Sequence, residues 1–525
     1  MIQITVDKRN IKVREGTILI DALREAGKDI PSMCYVKGSD HFTSCMVCMV
    51  KDAQTGRLFP SCSYKVEDGM NIITGDEEVI TSRRMALNLL LSEHVGDCEA
   101  PCQITCPAHM DIPLMNRLLA AGRFDEALMA VKKDIALPAV FGRICPAPCE
   151  GACRRKSIDQ SVSICLLKRY AGDYDLNKES QYMPDKEADK HKKVAIIGAG
   201  PAGLSASYYL CLRGYTCIVY DRNEMAGGSL RKEVEEEILP RKVLDAEIDI
   251  LKHLGVQFVM EHAVDAREFQ KLTKDANAIV IAAGKGASGV GDWGLPMTQK
   301  GLEADPETYR IGNTSLFAVG SAFKPARMAI RALGQGKEVA FSVDQFLNGE
   351  DVRGEHVLFN SRFGKLMLEE FEEYLKESVP GKRIEPSGDH KDQKGSQAGF
   401  SEEEVKAEAA RCLHCDCRDL ENCKLRIYSD RYKASQKMFS SVERKRVRKH
   451  IQHDAVIYEP TKCIKCGICV RLTSVHKEKY GMSFIGRGFD VEVNVPFNES
   501  LKKGLEKVAL EVADACPTGA ISRKS

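Results

Sequence analysis

The sequence predicts a multidomain protein of mixed α/β and α+β class, on three observations. The chain has 525 residues, whereas one hydrophobic core rarely serves more than about 250–300, so about three or four domains are expected. A central stretch has the pattern strand, glycine-rich turn, helix, strand, which is typical of a parallel α/β domain. The 21 cysteines fall mostly into four groups, at positions 34–62, 98–165, 412–423 and 463–516.

Composition and charge exclude several functional classes. The net charge is +1, so no global field attracts nucleic acid or an anionic membrane. No run approaches the roughly 18 apolar residues that a membrane helix needs. The opening "MIQITVDKRNIKV" has no apolar signal-peptide core, so we expect a cytoplasmic protein. Because the cytoplasm keeps thiols reduced, dense cysteines indicate metal binding rather than disulfides.

Residues 1–78 are predicted to form a small cluster-binding domain. The segments "IQITVD" and "IKVREG" alternate like strands, and "TILIDALREAG" follows as a short helix. Four thiolates from one loop and one later position suit a [2Fe–2S] cluster. The spacing C-x10-C-x2-C-x13-C resembles the first cluster domain of the large iron–sulfur subunit of respiratory complex I and of iron hydrogenases, which implies a β-grasp ferredoxin fold. A structural zinc site is the alternative. The candidate ligands are Cys34, Cys45, Cys48 and Cys62.

Residues 79–178 are predicted to be helical and to hold two [4Fe–4S] clusters. The segment "SRRMALNLLLSEH" has helical spacing and ends at His94. His94 and Cys98 resemble a cluster-ligating His-x3-Cys pair of the complex I subunit. The following "APCQITCPAHMDIPLMNRLLAAGRFDEALMAV" and "CPAPCEGACRRKSIDQSVSI" resemble the N-terminal domain of the glutamate synthase small subunit, which dihydropyrimidine dehydrogenase also carries. That domain implies two clusters with interleaved ligands.

The resemblance implies a ligand set for each cluster. The first set is His94, Cys98, Cys102 and Cys153. The second set is Cys106, Cys145 and Cys149 with one further ligand. The family has Glu or Gln where Lys168 stands here, and an ammonium has no lone pair to offer. Cys165 lies three residues earlier on the same predicted helical face and could supply the thiolate. The alternatives are a solvated helix-end histidine at position 94 and a small core residue at Cys165.

Residues 190–350 are predicted to form a dinucleotide-binding domain. In "VAIIGAGPAGLSASYYLCLRGYTCIVYD", three glycines give G-x-G-x-x-G between a strand and a helix, where backbone N–H groups can approach a pyrophosphate. Asp221 ends the second strand, where a carboxylate can bind the adenosine ribose. Cys211 and Cys217 fall in the helix and second strand and are interpreted as structural. The candidate contacts in this turn are Gly198, Gly200, Pro201, Ala202 and Gly203.

The continuation resembles the FAD segments of the same glutamate synthase subunit. These segments are "AGGSLRKEVEEEILPRKVLDAEIDILKHLGVQF", "AIVIAAGKG" and "NTSLFAVGSAFKPARMAIRALGQGKEVA". Ser321 stands where the family has an Asp that meets the flavin ribityl chain, so a neutral, weaker partner replaces it. The resemblance implies bound FAD, with further contacts from Arg222, Gly228, Gly284, Gly320 and Ser321.

One family domain is missing. The family inserts an NAD(P)H domain between its two later FAD segments, whereas only Lys285 to Leu316 separates them here. One βαβ unit alone needs about 30 residues, so a nucleotide domain does not fit. The stretch "GKGASG", Gly284 to Gly289, fits G-x-G-x-x-G but no helix pattern follows it, so we expect a loop.

The C-terminal third is predicted to contain two more cysteine sites. Over 351–440 we expect an amphipathic helix at "GKLMLEEFEEYLKES", a polar linker, and a helix capped by Ser401. There, C-x2-C-x-C-x5-C favours a [4Fe–4S] cluster, with structural zinc as the alternative. Over 441–525, C-x2-C-x2-C and a distant Cys-Pro are typical of a ferredoxin-like [4Fe–4S] domain. The first site has Cys412, Cys415, Cys417 and Cys423, and the second has Cys463, Cys466, Cys469 and Cys516.

Together these features predict an oxidoreductase subunit that relays electrons between FAD, one [2Fe–2S] cluster and three to four [4Fe–4S] clusters. No acid–base pair or nucleophile motif indicates chemistry on an organic substrate. Expected partners are an NADH-oxidising flavin subunit, a hydrogenase, a formate dehydrogenase or a similar reductase, or a ferredoxin, and not nucleic acid. Two alternatives remain: a self-sufficient NAD(P)H:acceptor oxidoreductase, and a zinc-stapled assembly scaffold whose flavin is structural.

Overall fold

A computed structural model describes residues 1–284, 290–325, 327–387, 399–439 and 444–524. They form two compact units. Unit 1 comprises 1–99, 358–377 and 415–525, and unit 2 comprises 100–357 and 378–414. Both units are discontinuous in sequence, which differs from the five consecutive domains predicted above. The predicted loop at 285–289 and most of the polar linker lie outside the described residues.

The N-terminal part of unit 1 is a five-stranded mixed sheet with one helix, Leu19–Glu25. The first two strands form an antiparallel hairpin in which Ile4 opposes Ile11, and the first strand pairs in parallel with the last. Alternate residues of the first strand are buried, as its sequence pattern predicts. In spatial order the strands are Arg9–Val13, Ile2–Val6, Asn71–Ile73, Met49–Asp52 and Leu58–Pro60.

A long helix, Glu77–Glu93, follows the sheet within unit 1. The Asp76 side chain accepts a hydrogen bond from the backbone N–H of Val79 and caps its N-terminus. Buried residues recur every three or four positions along it. His94 is the C-terminal cap, so the predicted end of this helix agrees with the structure. The predicted boundary after residue 78 therefore falls inside unit 1.

The C-terminal part of unit 1 is built from short elements. Two antiparallel strand pairs are present, Val456–Tyr458 with Ile521–Arg523 and Ser483–Ile485 with Glu492–Asn494. The helices are Phe371–Leu375, Lys424–Arg431, Ile468–Val475, Leu501–Gly504 and Ala509–Ala515. Unit 1 also has the 3₁₀ turns Ser61–Ser63, Leu368–Glu370, Pro460–Lys462, Gly488–Asp490 and Pro496–Asn498.

The helix expected at "GKLMLEEFEEYLKES" is shorter than predicted. The turn Leu368–Glu370 leads into Phe371–Leu375, and the preceding residues are not helical. The Glu370 carboxylate accepts hydrogen bonds from the backbone N–H of Met367 and from Val447, and it pairs with Arg444. These contacts fix the start of the helical segment near residue 368, so the apolar residues before it do not extend the helix.

Unit 2 begins with a helical part. The helices Pro138–Ile144 and Ile164–Leu176 pack closely against each other. The helix Glu402–Ala409 joins this part and has the predicted Ser401 cap, completed by Glu404 into a capping box. The other elements are Pro101–Thr105, Ile112–Ala120, Phe124–Lys132, Pro148–Gly151 and the 3₁₀ turn Arg154–Ser157.

The second part of unit 2 is a parallel five-stranded sheet with helices. The strand order reverses at the central strand, Lys193–Ile197, because both of its neighbours come later in the sequence. Sheets of this kind bind ligands in the crevice at such a switch point. The strand order is Leu316–Ala318, Ala278–Ile281, Lys193–Ile197, Thr216–Tyr220 and Gln257–Val259. The helices are Pro201–Leu212, Ser229–Lys232, Arg241–His253, Ala266–Asp275 and Ala329–Leu347. A hairpin, Met297–Thr298 with Gly301–Leu302, and the 3₁₀ turns Val290–Trp293 and Gly320–Ala322 complete it.

Within the part of the chain that the structure describes, no helix combines the length and apolar character needed to cross a bilayer.

Candidate functional site: four groups of thiols and a nucleotide pocket

The four N-terminal cysteines converge, as their spacing predicts. We call them the N-terminal set, and each is almost completely buried. Cys34 forms side-chain hydrogen bonds with Cys45 and Cys62, and Cys48 does so with Cys62. These bonds lower the pKa of Cys34 and raise the pKa of Cys45 well above its ordinary range. Packed thiolates repel one another, and a cationic iron–sulfur core would relieve that repulsion.

The four C-terminal cysteines also converge, and we call them the terminal set. Cys463, Cys466, Cys469 and Cys516 line one small cavity. Burial raises the pKa of Cys463 to about 11. The backbone N–H of Lys465 points to the Cys463 sulfur at 3.3 Å, and that of Ile521 points to the Cys516 sulfur at 3.4 Å. Such N–H donors would stabilise thiolate ligands of a cluster.

A third group in unit 1 differs from the set that the resemblance implies. Burial, together with the negative charge of the nearby Cys417, raises the pKa of Cys98 to about 11. Cys417 and Cys98 likewise raise the pKa of Cys423 beyond the effect of burial. The backbone N–H of Cys417 donates to the carbonyl of Cys98 over 2.9 Å, which holds the two cysteines together. Cys98 is thus grouped with cysteines more than 300 residues later in the chain.

His94 is held in a geometry that suits a ligand. Its Nδ1 lies 3.2 Å from the carbonyl oxygen of Lys462, so Nδ1–H can donate there and leave Nε2 available. Burial, together with the charge of the Lys462 ammonium, lowers the pKa of His94 to about 4. The ring is therefore neutral, as metal ligation requires. The Lys462 ammonium also interacts with Cys98 and Cys417, so Lys462 connects His94 to this group of thiols. We call the candidate ligands His94, Cys98, Cys417 and Cys423 the His94 set.

Lys462 connects this set to a buried ionic network that sequence reasoning missed. Its side chain is almost fully buried, pairs with Glu459, and interacts with the negative charge of Cys417. Lys449 pairs with Glu377 and also approaches Glu459. The only sequence signal was a lysine directly before Cys463, which by itself does not indicate burial.

One apolar cluster joins the three thiol groups of unit 1. It contains Cys34 and Cys45 of the N-terminal set, Cys423 of the His94 set and Cys466 of the terminal set. The Cys34 thiolate also raises the pKa of Cys466, which requires the two sulfurs to be near each other. Unit 1 therefore holds its three candidate cluster sites around one shared core.

Unit 2 contains a fourth group, Cys106, Cys145, Cys149 and Cys165, which we call the unit 2 set. Cys165 forms side-chain hydrogen bonds with Cys145 and Cys149. These contacts and burial raise the pKa of Cys145 strongly. Lys168 is buried beside them, with Nζ 3.9 Å from the Cys165 sulfur. Burial alone would lower the pKa of Lys168, but the four cysteines in their thiolate form raise it overall.

Six cysteines lie outside these groups. Cys211 and Cys217 are buried in the helix and strand where the sequence places them, as structural residues would be. Of the cysteines predicted to form one site at 412–423, Cys417 and Cys423 interact with Cys98 and are part of the His94 set. The remaining four are Cys102, Cys153, Cys412 and Cys415.

Across the described ranges, no three His, Cys, Asp or Glu side chains lie close enough to bind a single metal ion. This finding concerns one ion; in a [4Fe–4S] cluster each protein ligand binds a different iron atom, and in a [2Fe–2S] cluster each iron takes only two.

The nucleotide pocket lies at the crevice of the parallel sheet and has a volume of about 440 Å³. Every FAD-contact residue predicted above lines it except Gly203. A Cβ at Gly203 would lie 1.9 Å from the carbonyl oxygen of Gly198, so this position admits only glycine. A Cβ at Gly200 would meet nothing within 4 Å, so the turn is open toward a bound pyrophosphate there.

Two polar groups of the pocket have roles within the protein. The Asp221 carboxylate accepts hydrogen bonds from the backbone N–H of Ala199 at 2.7 Å and from Asn223, so it also braces the glycine-rich turn. The backbone N–H of Gly320 donates to the Gln335 side chain at 2.9 Å. Ile144 also lines the pocket, although sequence reasoning did not select it.

Three family models match separate parts of the chain. A 2Fe-2S iron-sulfur cluster binding domain matches residues 1–77, and dihydropyrimidine dehydrogenase domain II with a 4Fe-4S cluster matches 92–180. An NAD(P)-binding Rossmann-like domain matches 196–263. The first two matches confirm the resemblances found in the sequence. The third confirms a nucleotide-binding Rossmann-like segment, but its description names NAD(P) and not FAD.

The chain is similar to subunits of several oxidoreductases. The NADPH-Fe(3+) oxidoreductase subunit beta of Geobacter sulfurreducens is 32% identical over 304 residues, which cover 57% of this chain and 42% of that protein. The NADP(+)-dependent formate dehydrogenase subunit beta of Moorella thermoacetica is 37% identical over 211 residues, 36% of this chain and 30% of that protein. The NAD-dependent dihydropyrimidine dehydrogenase subunit PreT of Escherichia coli is 32% identical over 203 residues, 38% of this chain and 48% of that protein. The match therefore spans less than half the length of each relative.

Proposed function

We propose that this chain is the iron–sulfur flavoprotein subunit of a multi-subunit oxidoreductase, in which it relays electrons between FAD and its iron–sulfur clusters. The names of the similar proteins, all oxidoreductase subunits, support this class of function. When bound, FAD exchanges two electrons with a partner and each cluster exchanges one, which is the chemistry that these groups supply. The chain's own residues bind these groups, exclude water around them and set their environment.

The observation that carries the proposal is the position of Ile144. This residue lines the nucleotide pocket and directly precedes Cys145 of the unit 2 set. Both are fixed by one helix, Pro138–Ile144, of which Cys145 is the C-terminal cap. A flavin in the pocket and a cluster on the unit 2 set would therefore lie close together, because Ile144 contacts the pocket and the next residue, Cys145, belongs to the set.

The shared core of unit 1 supports a relay through that unit as well. Thiols from the N-terminal, His94 and terminal sets lie in one apolar cluster. A Cβ at Gly519 would lie 3.0 Å from the Cys417 sulfur, which places the His94 set beside the loop that follows Cys516. An apolar, water-poor path of this kind suits electron transfer between clusters better than chemistry on a polar substrate.

The ligand assignment proposed here revises the sequence-based one. The N-terminal set would hold a [2Fe–2S] cluster in a β-grasp domain, and the His94, terminal and unit 2 sets would each hold a [4Fe–4S] cluster. Cys102, Cys153, Cys412 and Cys415 are assigned to none of these sets. The four sets use 15 of the 21 cysteines and His94, and Cys211 and Cys217 are interpreted as structural residues.

A second candidate is a self-sufficient NAD(P)H:acceptor oxidoreductase. It is favoured by the NAD(P)-binding Rossmann-like model, which matches the segment that builds the pocket. Against it, the described residues between the two later pocket segments form only a 3₁₀ turn and the two-residue strands Met297–Thr298 and Gly301–Leu302. In that described part there is no second βαβ unit to take a nicotinamide nucleotide while FAD occupies the pocket.

The test is anaerobic reduction of the isolated, full-length chain. Its FAD content is determined first, and flavin and cluster absorbances are then followed as NADH, NADPH and finally dithionite are added. We expect only dithionite to bleach the flavin, because the described residues between the two later pocket segments contain no second βαβ unit for a nicotinamide nucleotide. Rapid bleaching by either nucleotide would overturn the relay proposal and support the second candidate.

The link between flavin and cluster needs its own test. In a stopped-flow experiment with photoreduced flavin, Cys145→Ser should slow the transfer of electrons from the flavin to the clusters. Cys217→Ala is the matched control. Cys217 is a buried cysteine of the same unit, but it neither lines the pocket nor belongs to the unit 2 set. Equal transfer rates in the two variants would contradict a path through Cys145.

A further inference from the structure

Lys168 is a buried cation whose charge is not balanced by a carboxylate. It lies on the helix Ile164–Leu176 and only 3% of its surface is exposed. Within the described ranges its ammonium forms no ion pair with Asp or Glu, and its hydrogen-bonding partner is the Cys165 sulfur. Burying an unpaired ammonium is strongly unfavourable, so this site must supply negative charge in another form.

A second buried lysine of unit 2 shows the usual solution. Lys132 is about as buried as Lys168, and its ammonium pairs with the Asp175 carboxylate. Lys168 instead faces the four thiols of the unit 2 set. Free thiols would be neutral and could not balance an ammonium. Four thiolates on a [4Fe–4S] core give a formal charge of two minus when oxidised and three minus when reduced, and could balance it.

We propose that Lys168 is the counter-ion of the cluster on the unit 2 set and raises the potential at which that cluster accepts an electron. The inference rests on the cluster assignment proposed above. The step is a one-electron reduction in which no bond forms or breaks, and the electron comes from reduced flavin or from dithionite. A nearby cation stabilises the more negative, reduced state more than the oxidised state. Because this cluster adjoins the nucleotide pocket, Lys168 makes electron transfer from the flavin to the cluster more favourable.

The test compares neutral and charged replacements of Lys168 in the full-length protein. Lys168→Met and Lys168→Gln remove the charge, and Lys168→Arg keeps it. The EPR signal of this cluster is first identified as the one that Cys165→Ser changes, and its midpoint potential is then measured in a redox titration. The control is the double variant Lys132→Met with Asp175→Asn, which removes the other buried lysine together with its partner.

We expect both neutral variants to lower the midpoint potential. At a fixed potential the ratio of reduced to oxidised cluster should fall at least tenfold, which corresponds to about 59 mV for one electron. Lys168→Arg and the control should stay near the wild-type value. If the neutral variants lose the cluster while Lys168→Arg retains it, the iron contents of the variants would show that the cluster requires a positive charge at position 168.

Two results would overturn the proposal, and a third would remove its basis. Unchanged potentials in intact neutral variants would show that Lys168 does not influence the cluster. Loss of iron in Lys168→Arg equal to that in Lys168→Met would indicate a packing role only. If Cys165→Ser changes no EPR signal of the wild-type protein, the cluster assignment itself fails, and this outcome is distinct from failure of the counter-ion role.

Discussion

Two glycines at the crossing of the helices Pro138–Ile144 and Ile164–Leu176 should control assembly of the unit 2 set. The first helix leads into Cys145 and the second carries Cys165. A Cβ at Gly142 would lie 2.4 Å from Cα of Arg169, and a Cβ at Gly172 would lie 2.3 Å from the backbone N of Ala139. Gly142→Ala or Gly172→Ala should therefore force the two helices apart.

The size of the effect follows from these distances. Ordinary van der Waals contact begins near 3.4 Å, so the helix axes must separate locally by about 1 Å in either variant. The contacted atoms are backbone atoms and cannot rotate away, which places the strain near the upper end of the roughly 1–3 kcal/mol range for overpacking. Alanine gains about 1 kcal/mol over glycine within a helix. A net destabilisation of about 2 kcal/mol is expected.

The assay combines stability with cluster occupancy. The urea midpoint of each variant is measured, together with the iron content and the EPR intensity of the unit 2 cluster. Gly151→Ala is the control, because a Cβ there meets nothing within 4 Å although the residue lies close to Cys149 and Cys153 in sequence. If both crossing variants keep the wild-type midpoint and iron content, the close approach of these helices does not control the site.

Three further predictions concern His94, Glu247 and the cluster count. His94→Cys should lower the midpoint potential of one cluster, because a thiolate brings more negative charge than an imidazole; unchanged potentials and spectra would argue against ligation by His94. Burial raises the pKa of Glu247 from 4.5 to about 7, so its contribution to stability is complete below pH 4.5 and is lost as the pH rises through 7. Glu247→Gln should flatten that part of the stability profile, which urea midpoints between pH 5 and about 8 would measure. The fully loaded chain should contain at least about 14 iron atoms, two in the [2Fe–2S] cluster and four in each of three cubanes; about 10 or fewer by elemental analysis would contradict this assignment.

Local sequence signals predicted much of the fold and of the site. The helix that ends at His94, the Ser401 cap and the strand–turn–helix around Gly198 depend on neighbouring residues, so periodicity and capping rules suffice to find them. The N-terminal and terminal sets were likewise predicted, because their ligands come from single loops and one later position. Cys165 was predicted from its place on the same helical face as Lys168.

Other features depend on contacts that spacing does not encode. The counter-charge role of Lys168 becomes visible only when the four thiols around it are seen together. The proximity of Ile144 to the pocket depends on the packing of the helical part against the parallel sheet within unit 2. The partial helix near Phe371 depends on contacts of Glu370 with Arg444 and Val447, which lie more than 70 residues later.

The grouping of Cys98 is the largest departure from the sequence-based assignment, and it leads to a decisive experiment. The sequence-based assignment grouped Cys98 with Cys102 because the family resemblance implies that ligand set, whereas in unit 1 the backbone N–H of Cys417 donates a hydrogen bond to the carbonyl of Cys98. Unit 1 comprises residues 1–99, 358–377 and 415–525, so all of unit 2 lies in sequence between Cys98 and Cys417, two candidate ligands of one set.

The EPR signal that His94→Cys shifts identifies the cluster to be tested. On the assignment proposed here, Cys417→Ser should change this same signal and Cys102→Ser should leave it unaltered. The opposite result would restore the set His94, Cys98, Cys102 and Cys153. The two serine variants are matched in chemistry and in the burial of the replaced thiol, so a difference between them reports which thiol shares a cluster with His94.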